Sequence, residues 1–346
     1  MKRKSCEVTT LLEEFFTEHL PHVKGLQENS IIAYQYAFRL LFQYLEETKG
    51  LTHEKVTFDD LGGKTIEEFL FYLEQERGCS VRTRNLRRAA IVAFAKFASK
   101  KAFSVSLPFY NEAVNLPKKR VPKNPDFKHF TKEEIAIILQ LPNTSRAVGQ
   151  RNVTILSLLY ASGARAQELC DITLGSITLG SPTKIRLTGK GSKTRMITIP
   201  DTCTAIIKEY LRSRNLELDS QDTKNRHLFS SQTNEHMSIS CVEEVVKKYV
   251  QQAKSEYPHL FKENSYTPHS FRHSIAVHML EAGESLFAIK AFLGHSSIVS
   301  TAIYAQVTPE LANRYLDERG KPLKEISKRV PSYPLPQAMP FLYRKK

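Results

Sequence analysis

The sequence predicts a mainly helical protein with one small antiparallel β-sheet (an α+β fold), built as two domains. Apolar residues recur at helical spacing through most of the first hundred residues and again through the second half of the chain. One pair of short segments alternates apolar and polar residues around a Gly-Lys-Gly turn, which is typical of a β-hairpin. A length of 346 residues is long for one domain and suits two.

Four helices are predicted in the first domain. Their ranges are about 10–19, 30–50, 65–77 and 80–101. Asn29 and Ser30 resemble an N-cap for the second helix, and Gly50 is a typical residue for its end. The apolar and aromatic residues of this helix share one face, which we expect to be buried: Tyr34, Phe38, Leu41 and Leu45.

A basic, proline-rich segment separates the two domains. Residues 117–125 contain three prolines and four positive charges, a composition that favours an extended, semi-rigid linker. Thr131 and Glu134 then have the spacing of a capping box at the start of a helix. We therefore place a helical domain at 1–116, the linker at 117–130, a second domain at 131–320 and a C-terminal tail at 321–346.

The second domain combines helices with the hairpin. Helical pattern covers residues 135–141 and 153–160, and the hairpin strands are 184–188 and 196–199. Further helices are predicted at 205–212, 241–254, 269–281 and 286–292. The tail carries Pro331, Pro334, Pro336 and Pro340 and is expected to be irregular.

The composition favours a polyanionic partner and excludes several other classes of protein. Fifty Lys and Arg residues against 36 Asp and Glu give a formal charge of +14, which favours binding to the phosphates of DNA, of RNA or of an anionic membrane alike. No apolar run is long enough for a membrane span, and the charged N-terminus is followed by no signal-peptide core. Five scattered cysteines without a CxxC pair predict neither a zinc site nor a disulfide framework. We expect a cytoplasmic protein with no membrane partner.

Helix 80–101 and the linker are the predicted DNA-contacting segments of the first part of the chain. Between residues 81 and 101 there are seven positive side chains and no acidic one. Such a helix is destabilised by self-repulsion unless a phosphate backbone lies alongside, although a solvated helix face is the alternative. The predicted DNA-binding residues are Arg82, Arg84, Arg87, Arg88, Lys118, Lys119 and Arg120.

Four short phrases in the second domain hold residues suited to phosphodiester chemistry. They are Gly163–Leu169, Gly189–Arg195, Thr267–His273 and Leu293–Ser296. Phosphodiester transfer needs a nucleophile, positive donors on the non-bridging oxygens and an acid for the leaving oxygen. Guanidinium groups hold two phosphate oxygens in a fixed fork, which makes Arg165 and Arg272 candidates, with Glu168 one helical turn from Arg165 to orient it.

In their order and spacing these phrases resemble the tyrosine recombinase (phage integrase) family, over about residues 8–320. The resemblance implies six catalytic residues, Arg165, Lys190, His269, Arg272, His295 and Tyr304. Tyr304 would be the nucleophile rather than Tyr315, because it stands nine residues after His295. Lys190 would protonate the leaving 5′-oxygen, and Lys193 and Arg195 would contact the DNA backbone. His273 and His278 are interpreted as structural or surface residues.

The resemblance also implies an architecture, a reaction and partners. A helical core-binding domain and a catalytic domain would clamp duplex DNA at a recombination site. Attack by Tyr304 would leave a 3′-phosphotyrosyl link, so that neither a metal nor ATP nor another cofactor is required. We expect a homo-oligomer, with a dimer on one site and a tetramer in the synapse, in which the tail docks on a neighbouring subunit. The helical start near residue 10 predicts no arm-binding domain, as in Xer-type or transposon-encoded recombinases.

Two alternatives to a recombinase follow from the same residues. A type IB topoisomerase uses phosphotyrosine chemistry on one strand at a time. A DNA-binding regulator could use the same scaffold without turnover, although the complete set of catalytic residues argues against it.

Overall fold

The computed structural model describes residues 7–121, 127–189, 191, 193–218, 223–231 and 234–306. Contacts divide the chain into two compact units, Met1–Asn124 and Pro125–Lys346. The predicted fold class, mainly helical with a small antiparallel sheet, is confirmed. The domain boundaries that we infer from the sequence stay predictions, and the tail at 321–346 lies outside the described residues.

The first unit is helical throughout its described part. It contains α1 (Glu7–Glu14), α2 (Glu28–Lys49), α3 (Gly63–Gln75), α4 (Val81–Lys101) and α5 (Phe103–Asn115). A π-helical segment, Phe15–Val23, continues α1, and a 3-10 turn, Asp59–Leu61, precedes α3. Gly50 adopts a left-handed conformation at the end of α2, as expected.

The core of the first unit is built from aromatic side chains of successive helices. Phe94 of α4 is fully buried, and its ring meets Phe38 edge-on at 5.3 Å and Phe15 at 5.5 Å between ring centroids. Each such pair stabilises the fold by about 0.5–1.5 kcal/mol beyond its burial. Predicted helices 10–19, 30–50, 65–77 and 80–101 correspond to these elements with shifted ends.

Helix α5 is absent from the sequence-based prediction. Pro108 stands inside it and removes a backbone hydrogen bond, which lowers intrinsic helix propensity. Packing compensates for this loss, because Phe109 and Ala113 are buried against the rest of the unit. The N-terminus of α2 also differs from the prediction, since the helix begins at Glu28 and Gln27 stands at its N-cap.

The second unit surrounds a three-stranded antiparallel sheet with helices. Its helices are α6 (Lys132–Gln140), α7 (Ala147–Ser162), α8 (Ala166–Cys170), α9 (Asp201–Ser213), α10 (Ile239–Glu256), α11 (Pro268–Glu281), α12 (Leu286–Leu293) and α13 (Val299–Ala302). The strands, in order across the sheet, are β1 (Ile177–Thr178), β2 (Thr183–Thr188) and β3 (Thr194–Ile199). The short elements α8, α13 and β1 are additions to the predicted set.

Local sequence signals explain where helix α6 begins and which side chains of the hairpin are buried. The capping box of α6 is confirmed, with the Thr131 N–H donating to Glu134 Oε2 at 2.8 Å and the Glu134 N–H donating to Thr131 Oγ1 at 3.1 Å. The hairpin pairs Thr188 with Thr194 next to the turn, and Ile185 and Leu187 face the core in alternation with exposed residues. No helix among the described residues is long and apolar enough to cross a membrane.

Candidate active site

Arg165 is placed by the sharp turn between α7 and α8. Gly163 ends α7 with a φ of 56°, and a Cβ at this position would lie 2.9 Å from Leu293 Cδ2. Only glycine accommodates both the left-handed backbone and this close approach. Two residues later, Arg165 stands at the N-cap of α8 with its side chain 39% exposed, so that it can reach a ligand.

Glu168 is a buried carboxylate held by two arginines. The Arg165 side chain donates to it at 2.7 Å, and the Arg165 backbone N–H donates at 2.9 Å. Arg195 of β3 donates from both terminal nitrogens, at 3.0 and 2.9 Å. Burial by itself would raise the pKa of Glu168, but these hydrogen bonds and charges outweigh burial and lower the pKa to about 2. Glu168 is therefore ionised at neutral pH.

For Arg195, contact with the DNA backbone stays a prediction, and the structure shows this side chain with partners inside the second unit. Its side chain is only 13% exposed, its fork grips Glu168, and its Nε donates to the Phe292 carbonyl at 3.0 Å. Gly294, with a φ of 66°, lets α12 end against it, since a Cβ there would lie 2.9 Å from Arg195 Cδ. Arg195 thus connects the hairpin to α8 and to the end of α12.

Arg272 is a fully buried cation on α11. Its two terminal nitrogens donate to the carbonyls of Gly163 at 2.5 Å and Leu293 at 2.7 Å. Its Nε has no hydrogen-bond partner among the described residues. Burial and then the charge of Arg165 lower the pKa of Arg272 to about 9, which still leaves it charged at pH 7. A buried charge without a bonded carboxylate is costly unless an anion joins it.

His269 and His295 lie close to the two arginines. His269 is an exposed residue of the first turn of α11. Partial desolvation of its imidazole lowers its pKa, and the positive charges of Arg272 and Arg165 lower it further. His295 follows the turn at Gly294, and its Nδ1 lies 2.9 Å from Thr301 Oγ1. Burial and the charges of Arg272 and Arg165 lower the pKa of His295 to about 4. Both imidazoles are therefore mainly neutral at pH 7 and can donate one N–H to an anion.

Tyr304 lies in the 3-10 turn Tyr304–Gln306, which follows α13. Its side chain is 1% exposed and belongs to a small core cluster with residues of α11 and α12. Burial raises the pKa of Tyr304, and the charges of Arg272 and Arg165 act in the opposite direction. The phenol is thus both a packed core residue and a neighbour of the two arginines.

His273 is the site residue that the sequence-based interpretation missed. Its Nδ1 lies 3.0 Å from the Tyr304 hydroxyl, whereas His278 makes a similar contact to Tyr160 at 2.9 Å. From the sequence, both histidines are interpreted as structural or surface residues. The available signal was position, because His273 directly follows Arg272 and stands one helical turn after His269.

An open cavity of about 500 Å³ adjoins these groups in the second unit. Arg165 and Lys193 line it, together with Gly294, His295, Ser296 and Ser300. Lys190 lies outside the described residues, so its predicted role stays a prediction, as does the DNA contact predicted for exposed Lys193. Among the residues that the structure describes, no group of three or more His, Cys, Asp or Glu side chains could hold a metal ion.

The basic residues of the first unit divide into two groups. Arg82, Lys118 and Arg120 are exposed, and Lys119 is exposed but pairs with Glu74 at 2.6 Å. The predicted DNA contacts of three others stay predictions, and their guanidinium groups donate to backbone carbonyls within this unit. Arg84 donates to Pro117, Arg87 to Ala33, and Arg88 to Val114 and Leu116. Arg84 is also buried, with 5% of its surface exposed.

Comparison with known proteins finds a matching family model for each half of the chain. The phage integrase family matches residues 128–310, and the phage integrase N-terminal SAM-like domain matches residues 13–102. The tyrosine recombinase XerD of Halalkalibacterium halodurans is 30% identical over 285 residues, which cover 82% of this chain and 89% of that protein. The tyrosine recombinase XerC of Bacillus subtilis is 28% identical over 316 residues, covering 90% and 97%. The crystal structure of the XerH site-specific recombinase bound to difH substrate shares the fold, with a TM-score of 0.64. The two sequences are 20% identical, and the match covers 86% of this chain and 81% of that chain.

Proposed function

The chain belongs to the phage integrase family, and we propose that this tyrosine recombinase cuts and rejoins duplex DNA at specific sites with Tyr304 as its nucleophile. Its relatives of similar length are named tyrosine recombinases, and the match extends over most of each chain. The site geometry supports the roles that we propose for individual residues.

The observation that carries the proposal is a cluster of positive and neutral donors around a tyrosine. Arg165 and Arg272 lie near enough to influence the pKa of His269, His295 and Tyr304 alike. Glu168 offsets part of this charge but is already bound by Arg165 and Arg195. A phosphodiester would supply the missing anion and accept hydrogen bonds from the unpartnered Nε of Arg272.

The proposed reaction is a pair of transesterifications. The Tyr304 oxygen attacks the scissile phosphate, the bond from phosphorus to the 5′-oxygen breaks, and that oxygen receives a proton from Lys190. Arg165 and Arg272 stabilise the negative charge that develops on the non-bridging oxygens, while His269 and His295 donate further hydrogen bonds. A 5′-hydroxyl of the partner strand then attacks the phosphotyrosyl link and releases Tyr304.

We also propose the partners and the assembly of the enzyme. The +14 charge and the DNA-bound state of the related XerH structure support double-stranded DNA as the substrate. Strand exchange between two duplexes requires several nucleophiles, which supports a dimer on each site and a tetramer in the synapse. With chromosomal or mobile DNA as the substrate, the bacterial cytoplasm is the proposed compartment.

The test of this proposal is covalent attachment to DNA. Tyr304→Phe is expected to abolish the protein–DNA adduct on a nicked suicide duplex and to leave DNA binding nearly unchanged, because only the attacking oxygen is removed. Tyr160→Phe is the matched control, since Tyr160 also pairs with a histidine of α11 but lies on α7. An adduct that survives in Tyr304→Phe would rule out the assignment. Strand joining between two duplexes separates a recombinase from a topoisomerase.

A further inference from the structure

We propose that His273 is the general base that accepts the proton of Tyr304 in the cleavage step. The inference rests on the proposed function, in which Tyr304 is the nucleophile. It assigns a reacting contact to a residue outside the six predicted catalytic residues.

The distance between the two groups fits proton transfer. Nδ1 of His273 lies 3.0 Å from the Tyr304 hydroxyl oxygen, within the reach required of a general base. Tyr304 is 1% exposed, so bulk water has little access to its hydroxyl. When the hydroxyl donates to Nδ1, the imidazole carries its own hydrogen on Nε2.

Neighbouring rings hold both partners in place. The ring of Phe127 lies 4.7 Å from that of His273 and meets Tyr304 nearly perpendicularly at 5.2 Å. The ring of His269 meets the ring of His273 edge-on, with 4.7 Å between the ring centroids. These contacts limit rotation of the imidazole, so that the orientation of Nδ1 toward the phenol is fixed before DNA binds.

The electrostatic surroundings keep His273 able to accept a proton. Burial lowers its pKa to about 3, and the charge of Arg272 acts in the same direction, as does the charge that His269, His129 before α6 and His295 after α12 carry when they are protonated. The ring is therefore neutral at pH 7. A bound phosphodiester brings a negative charge to the same groups and raises the pKa of His273 toward the range in which a base is efficient.

Two protons move in the cleavage step. The Tyr304 O–H bond breaks, its proton moves to His273 Nδ1, and the phenol oxygen forms a bond to phosphorus as the bond to the 5′-oxygen breaks. The leaving oxygen takes its proton from the general acid. When the partner strand attacks, its 5′-hydroxyl proton returns to the general acid, and Tyr304 leaves and recovers its own proton from His273.

The experiment measures single-turnover adduct formation on a suicide duplex with sulfur at the 5′ bridging position. This leaving group needs no proton, so the rate reports on the nucleophile alone. His273→Ala and His273→Asn are each expected to slow the adduct by about 10²- to 10⁴-fold, the usual contribution of a general base. Asn keeps a hydrogen-bond acceptor but takes no proton, which separates proton transfer from positioning. His278→Asn is the matched control, because it makes the same replacement in an equivalent histidine–tyrosine contact on the same helix and is expected to keep the rate.

A second measurement on the wild-type protein does not depend on any variant folding. Adduct formation on the sulfur substrate is expected to be slower in D2O than in H2O, since the tyrosine proton is the one transferred. Equal rates in the two solvents overturn the proposal, as does His273→Asn at the wild-type rate. A faster adduct in His273→Ala also overturns it and makes His273 a restraint on Tyr304. If the wild type forms no adduct, or Tyr304→Phe still forms one, the proposed function itself fails.

Discussion

At the scale of single residues, Glu168 organises the site by holding two arginines that differ in exposure. Arg165 is 39% exposed and can turn toward a phosphate, whereas Arg195 is 13% exposed and remains bound to Glu168 and the Phe292 carbonyl. A buried carboxylate with this many donors stays ionised, and losing its charge leaves both arginines without their partner. Glu168 therefore contributes both to stability and to the position of Arg165.

The pH dependence of stability tests this role. The folded pKa of Glu168 is about 2, below its ordinary 4.5, so the stabilisation is complete above pH 4.5 and is lost as the pH falls toward 2. Glu168→Gln is expected to lower the free energy of unfolding by about 3 kcal/mol at pH 7 and by almost nothing near pH 2. Urea denaturation across this pH range measures the difference.

The control for Glu168→Gln is Glu209→Gln. Glu209 also pairs with an arginine, Arg212 at 2.7 Å, but both side chains are more than half exposed. Exposed pairs contribute little, so this variant is expected to match the wild type at every pH. A loss of stability in Glu168→Gln that stays constant from pH 7 to pH 2 would contradict the assignment.

At the scale of elements, the basic helix α4 uses part of its charge to cap the neighbouring helix α5. Helix α5 ends at Asn115, and the carbonyls of Val114, Leu116 and Pro117 accept hydrogen bonds from Arg88 and Arg84. The last carbonyls of a helix lack partners within it and carry partial negative charge, which favours cations there. These carbonyls thus offset part of the repulsion between the positive side chains of α4, in addition to any offset that bound DNA provides.

This division of the arginines predicts two kinds of variant. Arg84→Met is expected to lower the thermal stability of the protein and to leave the salt dependence of DNA binding unchanged. A combined Arg82→Ala, Lys118→Ala and Arg120→Ala variant is expected to fold normally and to flatten the log–log salt slope by about 0.9 for each DNA phosphate that the protein no longer neutralises. Titration of a duplex at several salt concentrations measures the slope for each variant. A flattened slope in Arg84→Met would mean that Arg84 does contact DNA.

At the scale of the whole molecule, Lys and Arg side chains are the expected source of positive charge at the site, rather than a metal ion held by acidic residues. Lys and Arg exceed Asp and Glu by 50 to 36, and the buried Arg272 and half-exposed Arg165 bring that excess to the site. The buried Arg272 is held by the carbonyls of Gly163 and Leu293 before a substrate arrives, so it can stabilise developing charge without reorganisation.

The resulting prediction concerns divalent ions. Adduct formation on the suicide duplex is expected to proceed at an unchanged rate in excess EDTA, because in the proposed reaction Arg165 and Arg272 provide the positive charge at the phosphate. The measurement compares rates with EDTA, with Mg²⁺ and with Mg²⁺ added back after EDTA. If EDTA stops the covalent step and Mg²⁺ restores it, the arginines are not sufficient.

Local signals in the amino-acid sequence are enough to specify several elements of this protein. The capping box of α6, the alternation of β2 and β3, and the end of α2 at Gly50 all follow from residues within a few positions of one another. The order and spacing of the four phrases also identify the family. These features are predictable because short-range hydrogen bonds and side-chain periodicity specify them.

Contacts between residues that are distant in sequence are set only in the folded protein. Tyr304 meets His273 across 31 positions, and Arg195 meets Glu168 across 27. No local pattern distinguishes an arginine that will bind a buried carboxylate from one that will face DNA, nor a histidine that will meet a phenol from one that will not. Packing selects these partners, just as it forms α5 despite Pro108, because burial and hydrogen bonding in the folded core outweigh local preference.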